Sequence, residues 1–315
     1  MALPEQLAFD LDEEGPVKIY HAKLEGGNFG DDLNPWIWDK LMPGVLNDDN
    51  SELFVGIGTI LNSSLNNKRR KVVFGTGTGY GPPPKIDHLW RIYCVRGPLT
   101  AEKLRLDPKL AITDAAYVLR FLDLPPISKK YAVSFVCHHA SASDVCWNEL
   151  CERAGVHFIS PMLGVEQFLA ELLASDLVIA EAMHAAIVAD AFRIPWIPLR
   201  YGYRSFDFKW HDWCRSVGLE YNPIDFPPIL QADLNRSEAL ARMLRRGLAT
   251  LGIGKEKWRR TPLWRSSSRE LDQAAKFLHD LPVTAPTLVS PDAQLSQVME
   301  RLEAKFHEMR HDLLP

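Results

Sequence analysis

The sequence predicts an α/β protein of two successive doubly wound units, and three observations carry that expectation. Short β-branched runs alternate with longer stretches of helical periodicity, the pattern of a parallel sheet with crossover helices. Glycine-rich and polar segments follow the strand candidates at once, where open α/β sheets place their ligands. A Pro125-Pro126 pair and the basic Lys129-Lys130 interrupt the alternation before a fresh strand starts at Tyr131. The expected division is residues 1–126, residues 127–285 and a helical tail over 286–315.

In the first unit the strands fall at residues 17–22, 53–58, 71–75 and 91–95, with helices at 33–42 and 100–106. The second unit has a strand at 131–136, a helix at 147–154, a strand at 157–159, a helix at 165–174, a strand at 177–180, a helix from His184 and a strand at 196–199. Residues 291–313 set Leu295, Val298, Met299, Leu302, Phe306 and Met309 at three- and four-residue steps. That is one apolar helical face, for packing on the body or on a second subunit of a homo-oligomer. Two units with polar strand ends imply a ligand cleft between them, an architecture that resembles the GT-B arrangement of two Rossmann-like domains.

Composition narrows the class. The chain is 46% hydrophobic with a net charge of -4 and interspersed charges, which suits a large core and gives no footprint for nucleic acid. Five cysteines without a C-x-x-C pair argue against a disulfide framework or a zinc ribbon and fit a reducing cytoplasm. Residues 1–16 lack a basic flank followed by an apolar block, so no ordinary secretory signal is expected. The most apolar region, residues 170–192, is interrupted by Glu171, Asp176, Glu181, His184 and Asp190, and no transmembrane span is expected there.

Several strand ends carry chemistry. Gly26-Gly27-Asn28-Phe29-Gly30-Asp31-Asp32-Leu33-Asn34 combines glycines for close backbone approach with an amide and two carboxylates. It reads either as a site, with Asn28, Gly30 and Asp31 as candidates, or as a βα turn in which Asp31 or Asp32 caps a helix. Gly75-Thr76-Gly77-Thr78-Gly79-Tyr80-Gly81 offers unobstructed backbone N–H groups, an anion cradle around Gly77 and Thr78. A nicotinamide-type fingerprint would require a helix next, and Pro82-Pro83-Pro84 follows instead. Arg96 leaves a strand just before Gly97-Pro98, where a guanidinium forks onto a carboxylate or phosphate, or else neutralises Glu102 or an acidic loop. Asp114 reads as structural, capping a turn or orienting Arg96.

In the second unit, Cys137-His138-His139 and Glu181-Ala182-Met183-His184 close two strands with spacing too irregular for a metal, and none is expected. Imidazoles there suit proton transfer near neutral pH, with Glu181 raising a histidine's basicity. His139 also fits a hydrogen-bonded rim residue, whereas His184, at a helix N-terminus, has the stronger catalytic claim. Residues 255–265 interleave cations with Trp258 and Trp264, either as a surface for anionic headgroups or as a solvated linker with its tryptophans turned inward.

Taken in order, Gly27-Asn28-Phe29-Gly30-Asp31, Arg96-Gly97-Pro98-Leu99-Thr100, Thr113-Asp114 and Ser175-Asp176-Leu177-Val178-Ile179 running into His184 and Ile194-Pro195 resemble the polysaccharide pyruvyl transferase family over residues 17–205. The His138-His139 and Glu181-to-His184 forms are similar to its succinoglycan-type ketal branch. The resemblance implies transfer of pyruvate from phosphoenolpyruvate, as co-substrate without a further cofactor, to a sugar of an exopolysaccharide repeat unit on a polyprenyl lipid. It implies a cytoplasmic enzyme working at the inner face of the membrane. By the same resemblance His184 is the candidate acid, Arg96 the donor clamp and Asp31 the base for a sugar hydroxyl.

Two departures stand out. Many relatives place an arginine where this chain has Ala182, which leaves a donor contact to Arg200 or Arg204, and Asp114-Ala115-Ala116 replaces the family's Asp-Pro-Ala. A sugar-nucleotide glycosyltransferase and a non-catalytic carbohydrate-binding or assembly protein are the competing expectations.

Overall fold

The computed structural model describes residues 18–21, 26–46, 52–202, 206–234, 236–253, 258–259 and 261–313. Strands β1 (Lys18–Ile19), β2 (Glu52–Val55), β3 (Arg70–Phe74) and β4 (Trp90–Cys94) form one sheet in the order β1-β2-β3-β4. Its pairings are all parallel, so the chain must cross over between neighbours. Helix α1 (Phe29–Leu41) follows β1 and helix α2 (Pro98–Leu104) follows β4, with Pro98 in the first turn.

The second sheet has the order β6-β5-β7-β8-β9 and is also parallel. It consists of β5 (Ser134–Val136), β6 (His157–Phe158), β7 (Val178–Ala180), β8 (Trp196–Arg200) and β9 (Ile224–Asp225). Between them run α3 (Trp147–Ala154), α4 (Val165–Leu173), α5 (Met183–Ala191) and α6 (Asp207–Ser216). Helices α7 (Arg236–Thr250), α8 (Ser268–Thr284) and α9 (Asp292–Leu313) complete the chain's order. No helix among the described residues is long and apolar enough to cross a membrane.

Helix α1 begins at Phe29, four residues before the predicted start at Leu33. Asn28, extended at φ -157, is its N-cap, and the Asn28 backbone N–H donates to Asp32 Oδ2 at 2.8 Å. Asp32 therefore holds the helix entry from within the first turns, and Gly30 and Asp31 ride on the helix rather than in a loop.

Apolar packing joins the two halves of the chain. One core cluster contains Trp38, Phe54 and Phe74 from the first half together with Val178, Ile187 and Trp213 from the second. Phe29 stacks on Phe168 at 3.8 Å. Side chains of both halves thus share one core. Helix α9 packs on β4 and on the 3-10 turn Ala115–Phe121, burying Leu302 and Met309 completely, and the Tyr93 hydroxyl donates to Asp312 at 2.8 Å. The apolar face read from residues 291–313 is covered by the same chain's first sheet rather than by a second subunit.

Helix α6 crosses to α2 in the same way. Gly97, the N-cap of α2, has no side chain to offer the orphan N–H groups of the first turn. Asp212 on α6 supplies the acceptor, taking the Thr100 N–H at 2.8 Å and the Thr100 hydroxyl at 2.6 Å.

Candidate active site

His184 stands in the first turn of α5, directly after β7. Its imidazole lies so close over α1 that a Cβ on Gly30 would overlap Nδ1, so glycine is the residue that admits the ring. Its Nε2 is buried without a hydrogen-bond partner among the described residues, and 4.0 Å away is Asp114 Oδ2, equally buried and equally unpartnered. Asp114 Oδ1 accepts from the Ala116 N–H at 3.0 Å, the turn-capping role expected of it, while its second oxygen is aimed at the histidine. Buried polar atoms in native proteins have partners as a rule, so two facing ones mark a place built for a proton or a ligand.

Charge explains the state of this pair. Burial, then the cations of Lys209 and Arg96, push the His184 imidazole down to about 3, so it is neutral at pH 7. Burial pushes the Asp114 carboxyl up to about 6 against the pull of Arg96. Asp31 is also raised to about 6 by burial, with Asn28 donating to its Oδ2 at 2.6 Å and Lys209 opposing the rise. At pH 7 the imidazole is therefore neutral, and the two carboxyls take up protons only as the pH falls toward 6.

Arg96 is placed differently from the donor clamp expected of it. Its side chain is 0% exposed, with Nε on Asp212 at 3.0 Å, Nη1 on Thr59 Oγ1 at 2.7 Å and Nη2 on the Thr78 carbonyl at 3.2 Å. The acid that neutralises it is Asp212 rather than Glu102. Gly77 belongs to this cage, since a Cβ there would overlap the guanidinium, while Thr78 is buried with its hydroxyl unpartnered among the described residues. Arg200 is likewise committed, to Asp225 at 2.6 Å and Asp207 at 3.1 Å, and Arg204 lies outside the described residues. Neither Arg96 nor Arg200 offers a free guanidinium to an incoming anion.

At the end of β5, Glu181 accepts from the His138 backbone N–H at 2.8 Å and from the Ser141 hydroxyl at 2.6 Å. His138 Nδ1 in turn caps the short turn His139–Ser141, and the rings of His138 and His139 lie 4.2 Å apart. The acid that faces His184 is Asp114; Glu181 braces the loop after β5.

The cation that the sequence reading missed is Lys209 on α6, only 9% exposed, with Nζ donating to the Tyr80 hydroxyl at 3.3 Å. Lys209 biases Asp31, Asp114 and His184 together, and with Thr59, Gly79, Tyr80, Phe206, Asp207 and Phe208 it lines a cavity of about 250 Å³. Its signal in the sequence was slight: one lysine inside the aromatic run Phe206-Asp207-Phe208-Lys209-Trp210, shortly beyond the strand end where a missing charge was expected. If Lys209 holds the anionic donor, Lys209→Met should raise KM for it roughly tenfold or more, the scale of one charge-assisted hydrogen bond. The same substitution should move the acid limb of the pH profile upward, because Lys209 holds the affinity of all three neighbours for protons down. Steady-state kinetics across pH reads both effects.

The polysaccharide pyruvyl transferase family matches residues 26–203 of the chain. The succinoglycan biosynthesis protein ExoV of Rhizobium meliloti (strain 1021) is 40% identical over 223 residues, covering 69% of this chain and 70% of that protein. No solved structure matches the chain. The matched span holds Asp31, Asp114 and His184, and with its extent and this relative, the chain belongs to the polysaccharide pyruvyl transferase family.

Proposed function

We propose that this chain transfers pyruvate from phosphoenolpyruvate to a lipid-linked sugar of an exopolysaccharide repeat unit, closing a cyclic ketal. The observation that carries the reading is the facing pair Asp114 Oδ2 and His184 Nε2, buried without other partners beside the Lys209 cation. In the free protein at pH 7 His184 is neutral and Asp114, its carboxyl raised to about 6, is largely ionised. The donor brings a carboxylate and a phosphate, whose negative charge offsets Lys209 and Arg96 and lets His184 take up a proton as the donor binds.

That proton goes to the methylene carbon of phosphoenolpyruvate, converting it to a methyl group, while one sugar hydroxyl bonds to the central carbon and gives its proton to Asp31. A second hydroxyl then bonds to the same carbon, and phosphate leaves with the electron pair of the breaking C–O bond and a proton. The sum is one donor and one diol to one ketal and one phosphate. Lys209 and the N-terminal dipole of α5 stabilise the phosphate as charge develops on it.

In this reading the two Rossmann-like units take a GT-B-like arrangement, with residues 1–126 holding the acceptor, 127–285 the donor and 286–315 the helical tail. The small cavity at Lys209 suits a compact anion better than a sugar nucleotide, which sets the glycosyltransferase alternative behind. Protein groups supply the charge, so no metal or cofactor takes part.

Phosphate should be released from phosphoenolpyruvate only when an oligosaccharide acceptor is present, with nuclear magnetic resonance showing the new ketal methyl, and at an unchanged rate in a chelator. Release that ignores the acceptor, or turnover of a nucleoside diphosphate sugar instead, would reject the proposal.

A further inference from the structure

Helix α7 is amphipathic with its faces reversed. Leu240, Met243, Leu244, Leu248 and Leu251 recur at three- and four-residue steps from the helix into the turn after it, and all are exposed, Leu244 at 59% and Leu251 at 76%. The side turned to the body is held by polar groups instead. Arg242, 6% exposed, bonds Asp144 at 2.9 Å, and Arg246 donates to the Thr261 carbonyl at 3.3 Å. A helix that merely covered the core would show the opposite arrangement.

Ile253, just after the helix, and Trp264 are exposed as well, the latter at 70%. Exposed apolar surface of this extent marks an interaction site. Its surroundings select the partner: residues 236–265 hold nine Lys or Arg and two Glu in a chain whose net charge is -4, and of the nine Arg242 is paired inward with Asp144 and Arg265 with Asp233. Arg245 and Arg259 are exposed among the others. Two copies of so basic a face repel each other, whereas an anionic bilayer attracts the charges and takes up the leucines and tryptophan at its headgroup boundary.

We propose that α7 docks this protein on an anionic lipid bilayer. The apolar row of α7 enters the interface and the basic residues sit at the headgroups, so the chain is held at a membrane surface without spanning it. The inference goes beyond the pyruvyl-transfer reading, and its test contains neither donor nor acceptor, so either can fail alone.

Vesicles of phosphatidylcholine, with and without phosphatidylglycerol, are sedimented with the full chain. Binding is expected only with the anionic lipid and should weaken as salt rises. Leu244→Glu/Leu248→Glu, both at exposed positions, should keep the wild-type Tm and lower binding about tenfold or more. Val283→Glu, on the 86% exposed Val283 of α8, should bind as wild type. Absence of wild-type binding to anionic vesicles, or equal binding by the double variant, overturns the proposal. A wild-type dimer in light scattering that the double variant dissolves also overturns it, making the face an interface between copies.

Discussion

His184→Ala should lower kcat by roughly 10²–10⁴-fold, the range of a lost general acid, with little change in KM for phosphoenolpyruvate. On the proposed reading donor binding rests on Lys209, whereas His184 Nε2 makes no hydrogen bond among the described residues. The folded protein should survive, and in acid it should gain. Burial, Lys209 and Arg96 hold the native imidazole at about 3, while an unfolded histidine titrates at an ordinary 6.5. Between those values the unfolded state binds a proton that the native state refuses, so the His184 contribution to stability falls as pH drops below about 6.5, against the gain from Asp31 and Asp114, whose raised carboxyls take protons in the native state first.

At pH 5 that cost is about 2 kcal/mol, and His184→Ala removes it. Urea unfolding at pH 5 and pH 7.5 reads the difference. Turnover within tenfold of wild type would take His184 out of the chemistry. An equal change of stability for both proteins on going to pH 5 would show that its imidazole is not held neutral.

Asp212→Ala should destabilise the protein by about 3–5 kcal/mol, the usual result of stranding one member of a buried ion pair. Arg96 and Asp212 are each 0% exposed in their side chains and 3.0 Å apart, so the substitution leaves a guanidinium in the interior without its counter-charge. The Thr100 N–H and hydroxyl lose their acceptor as well. Replacing both charges together, as Arg96→Met/Asp212→Leu, should recover part of the loss, because the uncompensated charge goes with them. Denaturant melts of the wild type and the two variants measure this. A loss under 1 kcal/mol for Asp212→Ala would mean that the pair does not hold α2 to α6.

The parallel sheets and their helices were legible because alternation of apolar runs with helical periods reports burial directly. Helix α3 matches its predicted bounds, and α9 matches its apolar face residue by residue at Leu295, Val298, Leu302, Phe306 and Met309. The start of α1 was missed since glycines and an asparagine read as loop, and only the Asp32 contact to the Asn28 N–H makes them a helix entry. Helices α6 and α7 lay beyond the expected elements. Their apolar residues are mixed with cations, and α7 turns those residues outward.

The site was legible in part. Strand ends pointed to Asp31 and His184, because chemistry gathers there in α/β proteins. The roles of Arg96, Arg200 and Glu181 were not legible: an arginine or glutamate at a strand end looks the same in sequence whether it meets a ligand or a distant Asp212, Asp225 or Ser141. Lys209 was hidden for the complementary reason, since what brings it to His184 is the crossing of α6 onto α2, a contact between residues more than a hundred apart.

That crossing, with the return of α9 to β4, sets an order on synthesis. As the chain leaves the ribosome, the first sheet is complete in sequence long before it is complete in structure. Helix α2 waits for Asp212 to finish its first turn, and the face of β4 around Tyr93 waits for the last helix to cover it. The first half of the nascent chain must therefore travel with an apolar face open until residues 292–313 arrive. Molecules truncated before that helix should be the ones that chaperones and proteases collect.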